Sequence, residues 1–180
     1  LKGVRVAQDR AETLYIELKQ KQELSQKKLN KRASTDINVW ANASIKRAYD
    51  KESIKYTYTD KGTPSFTQAW LEVQKDPISK CVLEIRKLDK IRNTFIKNMI
   101  MEKATKGRIH CQFHSTGTVT GRFSSSNPNL QQVPARDQEL APLIRDLFLP
   151  EEGEDWVCAD YAQQEPRVLV HYASLKNIDS

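Results

Sequence analysis

Thr120-Gly121-Arg122-Phe123-Ser124-Ser125-Ser126-Asn127-Pro128-Asn129-Leu130-Gln131 and, further on, Trp156-Val157-Cys158-Ala159-Asp160-Tyr161-Ala162-Gln163-Gln164-Glu165-Pro166-Arg167 decide how this chain is read. The first stretch sets a guanidinium and two side-chain amides in a Gly- and Ser-rich frame, whose serines can hold a loop by local hydrogen bonds. Asn129 and Gln131 flank Leu130, so in an extended segment they point to one side. Every base pair presents N3 or O2 acceptors in the minor groove, and donors placed there check pair shape without reading sequence. A polar loop of purely structural purpose fits these residues equally well. In the second stretch an apolar run, read as a buried strand over residues 156–161, delivers a lone aspartate. A buried acid is costly unless a cation or donors meet it. Asp160 therefore reads as a divalent-metal ligand, since Mg²⁺ takes one or two carboxylates plus phosphates and waters. A turn or cap aspartate is the alternative. Glu165-Pro166 reads as a helix start, where proline is tolerated and a carboxylate meets the positive end of the dipole.

Outward from these stretches, periodicity predicts a long polar helix over residues 8–31, striped by Ala11, Leu14, Tyr15 and Leu18, with Glu17 facing Lys21. Thr35-Asp36-Ile37-Asn38 breaks it, and a short helix over 42–49 follows with Asn42 as its cap. Residues 53–66 hold Lys55, Tyr56, Tyr58, Lys61, Gly62 and Pro64 and read as a mobile loop outside any core. A second long helix is predicted over 77–101: Pro77 suits its first position, and Ile78, Val82, Ile85, Leu88, Phe95, Ile96 and Met99 share a face. Residues 108–114 alternate as a half-buried strand with Ile109, Cys111 and Phe113 on one side, pairing with 116–120. An irregular loop over 124–134, a short helix over 140–148 and a helix beginning at 166 complete the reading. The organisation expected is α+β, with a helical first part and a mixed part from about residue 103.

Charge narrows the partners. The chain has 29 Lys and Arg against 23 Asp and Glu, and between Ser79 and Arg108 nine basic residues face only three acidic ones. Such a surface attracts polyanions without regard to sequence, although a solvated helix face would look the same. Cys81, Cys111 and Cys158 form no Cys-x-x-Cys pair, which argues against a disulfide framework or zinc site and for a reducing, intracellular setting. No apolar run approaches the ~20 residues that span a bilayer, so no membrane partner is expected. His110 and His114 lie in a strand-like segment without the Glu of a His-Glu-x-x-His helix and read as structural.

With these residues in hand, the chain resembles the family A DNA polymerases, the group typified by bacterial DNA polymerase I. Residues 120–134 are similar to the family's Thr-Gly-Arg-Leu-Ser-Ser…Pro-Asn-Leu-Gln-Asn-Ile-Pro signature, and Ile144-Arg145-Asp146-Leu147-Phe148 to its Ile-Arg-x-x-Phe element. Asp160 to Arg167 resembles motif A, Asp-Tyr-Ser-Gln-Ile-Glu-Leu-Arg. Ile85-Arg86-Lys87-Leu88-Asp89-Lys90-Ile91-Arg92 is similar to the long thumb helix, and Asp36-Ile37-Asn38-Val39 to the start of the thumb tip. Phe123, Gln132, Ala162, Gln164 and Pro166 depart from the pattern, without removing a proposed ligand. The Gln-Gln-Glu-Pro variant points to a phage-like branch.

The resemblance implies a long-helix thumb over 1–102 and the start of a palm with an antiparallel sheet over 103–180. It implies a template-directed DNA polymerase that joins a deoxynucleotide to a primer 3′-hydroxyl with two Mg²⁺ ions. By the same analogy Asp160 and the Tyr161 main-chain carbonyl bind metal, and Glu165 screens the sugar. Tyr161, Gln163 and Glu165 face the nucleotide, Arg122, Asn129 and Gln131 the minor groove, and Arg86, Lys90 and Arg92 the duplex. Primer-template DNA and deoxynucleoside triphosphates are the partners implied. The family's fingers helix and His-Asp-Glu turn have no counterpart in these 180 residues, so the piece alone is expected to be inactive and to bind duplex weakly at most. A non-catalytic nucleic-acid-binding module is one alternative reading. A single-subunit RNA polymerase is another, opposed by Glu165, because an RNA-making enzyme must admit the 2′-hydroxyl.

Overall fold

The computed structural model describes residues 2–135 and 137–175. The chain divides into two compact units, Leu1–Leu149 and Pro150–Ser180. Mixed helices and small antiparallel sheets give the expected α+β character.

In the first unit, helix α1 (Gln8–Ala33) packs along α4 (Pro77–Lys90), which continues without a break as a π-helix over Ile91–Met101. The pair runs antiparallel. Leu29 and Ala33 of α1 share a core with Ile78, Val82 and Ile85, whereas Leu14 and Leu18 share another with Leu88, Ile91 and Phe95. Between the two cores lies a polar layer: Ser25 donates to Glu84 at 2.9 Å and the Gln22 amide to Asp89 at 3.2 Å. Lys21 ion-pairs with Glu139 at 3.4 Å and not with Glu17. The change to π geometry suits the sequence, because Ile91 and Ile96, and Phe95 and Ile100, are five apart and all buried. Asp76 caps α4 through the Ser79 N–H at 2.8 Å, with Pro77 in the first turn as predicted.

At the far end of α1, Ser34 turns left-handed (φ 52°) and Asn30 holds the reversal, accepting the Ile37 N–H at 3.0 Å. Ile37 and Val39 are buried there, and α2 (Asn42–Lys51) follows. Asn42 is not the cap. Ala41 occupies that position, and the Asn42 amide instead donates to the Pro64 carbonyl at 3.0 Å.

That bond helps seat a segment whose reading as a coreless loop is overturned. Thr57–Tyr58 (β2) pairs with Pro64–Ser65 (β3) in a hairpin, and α3 (Gln68–Val73) follows. The hairpin delivers Phe66 into the core, 4.9 Å from the Tyr49 ring, with Tyr56 and Trp70 completing an aromatic cluster. The alternation expected of a strand is absent here, so only packing reveals the role.

Val4–Val6 (β1) lies between Arg108–Ile109 (β4) and Phe148–Leu149 (β7) in an antiparallel sheet, and Val6 and Ile109 enter the second core. The strand predicted over 108–114 is therefore two strands. Gln112–His114 (β5) leaves this sheet to pair with Ser124–Ser126 (β6), not with 116–120, which turn. On that ribbon Phe113 is exposed despite its place in the alternation, whereas Ser125 opposite it is buried. Leu140–Arg145 (α5) leads directly into β7, which takes Phe148 out of the predicted helix.

In the second unit, α6 (Gln164–Leu175) forms as expected. Residues 156–161, however, are neither a strand nor buried, with Trp156, Val157 and Tyr161 all exposed. A buried strand needs ladder partners and a covering layer, and among the described residues of this unit α6 is the only regular element.

Tyr49 is fully buried, hydrogen-bonded to Ser79, which donates to Asp76 at 2.6 Å. Burial pushes its phenol up from 10.0 to about 12. The fold favours the neutral phenol, so this contribution is complete below the ordinary pKa and is lost as pH rises through 10 towards 12. Tyr49→Phe should cost about 1 kcal/mol at neutral pH and show a shallower alkaline loss than the wild type in urea melts. Equal alkaline slopes would show that Tyr49 is not the titrating group.

Candidate nucleic-acid interface

Of the basic residues between Ser79 and Arg108, every lysine is exposed and every arginine is half-buried. The arginines are occupied within the chain. Arg86 donates to the carbonyls of Val39 at 2.8 Å and Phe66 at 2.9 Å. Arg92 lies over the Tyr15 ring at 5.2 Å and meets Asp89 at 3.4 Å, its side chain only 14% exposed. Arg108 reaches the Gly3 carbonyl at 3.4 Å. A planar fork suits carbonyl acceptors at fixed spacing, whereas an ammonium on a flexible stem stays hydrated. Arg86 and Arg92, expected to touch duplex, thus make packing contacts within the chain, and Lys90 points outward.

Lys90 rims an open groove of about 900 Å³ within the first unit. Asn93 and Thr94, on the polar side of the π-helix, line it beside Gln132 from the segment after β6. Trp40, from the turn after α1, lines it as well. Lys87 closes part of the wall by its ion pair with Asp137 at 2.7 Å. That pair, with the Leu140 N–H next in order, holds the Asp137 carboxyl below its usual range. Asn93, Thr94 and Gln132 were not singled out from sequence, although the step from Lys90 to Asn93 and Thr94 is that of one helix face.

Arg122, Asn129 and Gln131 belong to one pinned loop in the same unit. The extended geometry expected for residues 129–131 is replaced by a 3₁₀ turn, Leu130–Gln132, capped by Asn129, whose side-chain oxygen accepts the Gln131 N–H at 3.1 Å. Ser125, 5% exposed, holds this turn from β6: its hydroxyl donates to the Asn129 side-chain oxygen at 2.9 Å. The Gln131 amide donates to the Phe123 carbonyl at 3.0 Å and ties the loop ends together. Thr118 donates to the Arg122 carbonyl at 2.8 Å, and Gly121, at φ 74°, permits the turn that exposes Arg122.

In the second unit Asp160, Tyr161, Ala162, Gln164, Arg167 and Val168 line a shallow depression. Gln163 is left-handed (φ 54°), and α6 then starts with Glu165 in its first turn. Arg167 closes the loop by donating to the Ala162 carbonyl at 3.0 Å. Asp160 is exposed rather than buried at a sheet edge. One accessible carboxylate with the adjoining carbonyl fits part of a hard-cation ligand set. Among the described residues no group of three or more His, Cys, Asp or Glu completes one.

The family model for DNA polymerase family A matches residues 8–179. This chain belongs to DNA polymerase family A. It is 32% identical over 198 residues to the DNA polymerase DpoZ of Salmonella phage PMBT28, covering 98% of this chain and 32% of the relative. It is 35% identical to DNA polymerase I of Deinococcus radiodurans, covering 96% of this chain and 19% of that protein. The chain thus spans about a third or less of these relatives. Among solved structures it matches the POL domain of Pol1 from M. smegmatis in complex with DNA primer-template and dNTP. There the TM-score is 0.75 at 26% identity, over 96% of this chain and 31% of that one.

Ser125→Ala should cost about 1 kcal/mol, since it removes a buried hydroxyl donor from the Asn129 amide oxygen. In amide hydrogen exchange it should deprotect residues 129–132 while α1 and α4 keep their protection. Unchanged exchange in that turn would mean Ser125 does not pin it.

Proposed function

We propose that this chain is the thumb, residues 1–102, and first palm segment, residues 103–180, of a template-directed DNA polymerase. The observation that carries the reading is the groove: helix residues Lys90, Asn93 and Thr94 line one concavity with Gln132, from a segment far along the chain. The exposed Lys90 ammonium beside the side chains of Asn93, Thr94 and Gln132 suits a duplex held by its backbone without sequence preference, while Lys87 is paired to Asp137 and Glu72, Glu84 and Asp89 line the rest of the wall. The matched Pol1 domain was solved with primer-template and dNTP, which supports the same partners here.

Lys90 is assigned to phosphates. Arg122, Asn129 and Gln131 are assigned to the minor groove at the primer terminus, where acceptors recur at every pair. The loop is fixed by Ser125 before substrate arrives, so little ordering remains to oppose binding. Asp160 and the Tyr161 carbonyl are assigned as metal ligands; a second carboxylate comes from outside these residues. Mg²⁺, when bound, stabilises the attacking 3′-hydroxyl and the leaving pyrophosphate oxygens. Tyr161 and Gln163 border the nucleotide, and Glu165 is held by the first turn of α6 where it obstructs a 2′-hydroxyl. Deoxynucleotidyl transfer therefore needs partners that this chain lacks, and alone it should bind duplex weakly and incorporate nothing.

In the full-length polymerase, Asp160→Asn should lower nucleotide incorporation by at least about a thousandfold with duplex affinity within about twofold of wild type. Glu165→Ala should admit ribonucleotides. Incorporation at the normal rate by Asp160→Asn would remove Asp160 from its assigned role, and unchanged sugar selection would remove Glu165.

A further inference from the structure

Asp89 belongs to the polar layer between the two cores and also lines the groove. One of its carboxylate oxygens collects three donors: the Gln22 amide at 3.2 Å, the Arg92 guanidinium at 3.4 Å and the Asn93 amide at 2.9 Å. The carboxylate is thus held from α1 as well as from its own helix. A carboxylate accepts hydrogen bonds and donates none. Asn93 must therefore turn its amide nitrogen to Asp89, which settles an orientation that an asparagine otherwise leaves open. The amide oxygen, at the other end, makes no hydrogen bond among the described residues. Asn93 is half-buried and lines the groove with Gln132, which directly follows Gln131 of the loop assigned to the minor groove.

We infer that Asp89 is a positioning residue: by holding the Asn93 nitrogen it makes Asn93 an acceptor, matched to the exocyclic amino group of guanine in the minor groove of the duplex. The inference rests on the duplex-binding reading of this chain. In the minor groove every base pair offers acceptors, and the guanine amino group is the only donor. Donors such as Arg122 and Gln131 treat all pairs alike, whereas an acceptor beside them responds to pairs that contain guanine. The contact joins neutral groups and draws nothing from the net charge of the wall. A plain i,i+4 pair that only steadied the helix would leave affinity indifferent to that amino group.

The test is fluorescence anisotropy of the full-length polymerase with a set of primer-templates that differ at one base. In each, one guanine of the duplex is replaced by inosine, which still pairs with cytosine but lacks the amino group. At one position inosine should weaken wild-type binding by about fivefold, the worth of one neutral hydrogen bond. Asn93→Ala should bind the guanine and inosine duplexes within about twofold of each other. Asp89→Ala, which frees the amide to turn, should do the same. If Asp89→Ala does not fold, Asp89→Asn takes its place, since it offers a donor as readily as an acceptor, and it should shrink the preference too. Wild-type binding indifferent to inosine at every position would overturn the inference, as would a preference that survives in Asn93→Ala. A preference lost in Asn93→Ala yet kept in the Asp89 variants would also overturn it, leaving Asp89 a purely structural part. Failure of the wild-type polymerase to bind any primer-template would sink the duplex reading itself, a result distinct from all of these.

Discussion

The antiparallel pairing of α1 with α4 and its π-helical continuation is the contact on which the first unit depends. Each helix is shared by two apolar cores, so each carries hydrophobic residues along its whole length. The polar layer of Ser25, Glu84, Gln22 and Asp89 lies where the cores part. Buried polar groups are tolerable only when paired. A shift of one helix along the other would part Ser25 from Glu84 and Gln22 from Asp89, so the layer adds to the register that the two cores define. With register fixed, the polar side of the π-helix faces the groove, and Lys90, Asn93 and Thr94 stand together there.

Arginine and lysine divide the work of positive charge along this helix. Arg86 binds the tip to α4 through two carbonyls, and Arg92 fills the space beside Tyr15. The lysines stay in water. The positive charge of this region thus separates into arginines bonded within the fold and lysines left exposed, of which Lys87 and Lys90 line the groove. The difference follows from the fork geometry of the guanidinium and the strong hydration of the ammonium.

The loop from Arg122 to Gln131 is ordered by one buried hydroxyl and one amide-to-carbonyl bond. Its rigidity comes from short-range bonds among its own residues, which is why local sequence already marks it. The segment around Asp160 differs. Its loop is closed by Arg167 on the Ala162 carbonyl, and its helix begins at Gln164, yet its apolar residues lie exposed.

Sequence by itself determined the long helices, the Pro77 start and the α+β character, because periodicity and turn chemistry are local. The motif resemblance also placed the chain in its family. Only tertiary structure decided that Phe66 and Tyr56 belong to a core, that β1 joins two strands distant in sequence, and that residues 108–114 split between two sheets. It alone turned Arg86 and Arg92 inward and brought Gln132 to the π-helix. Those outcomes depend on which surfaces cover which, and burial between segments far apart in the chain leaves no periodic trace in either one.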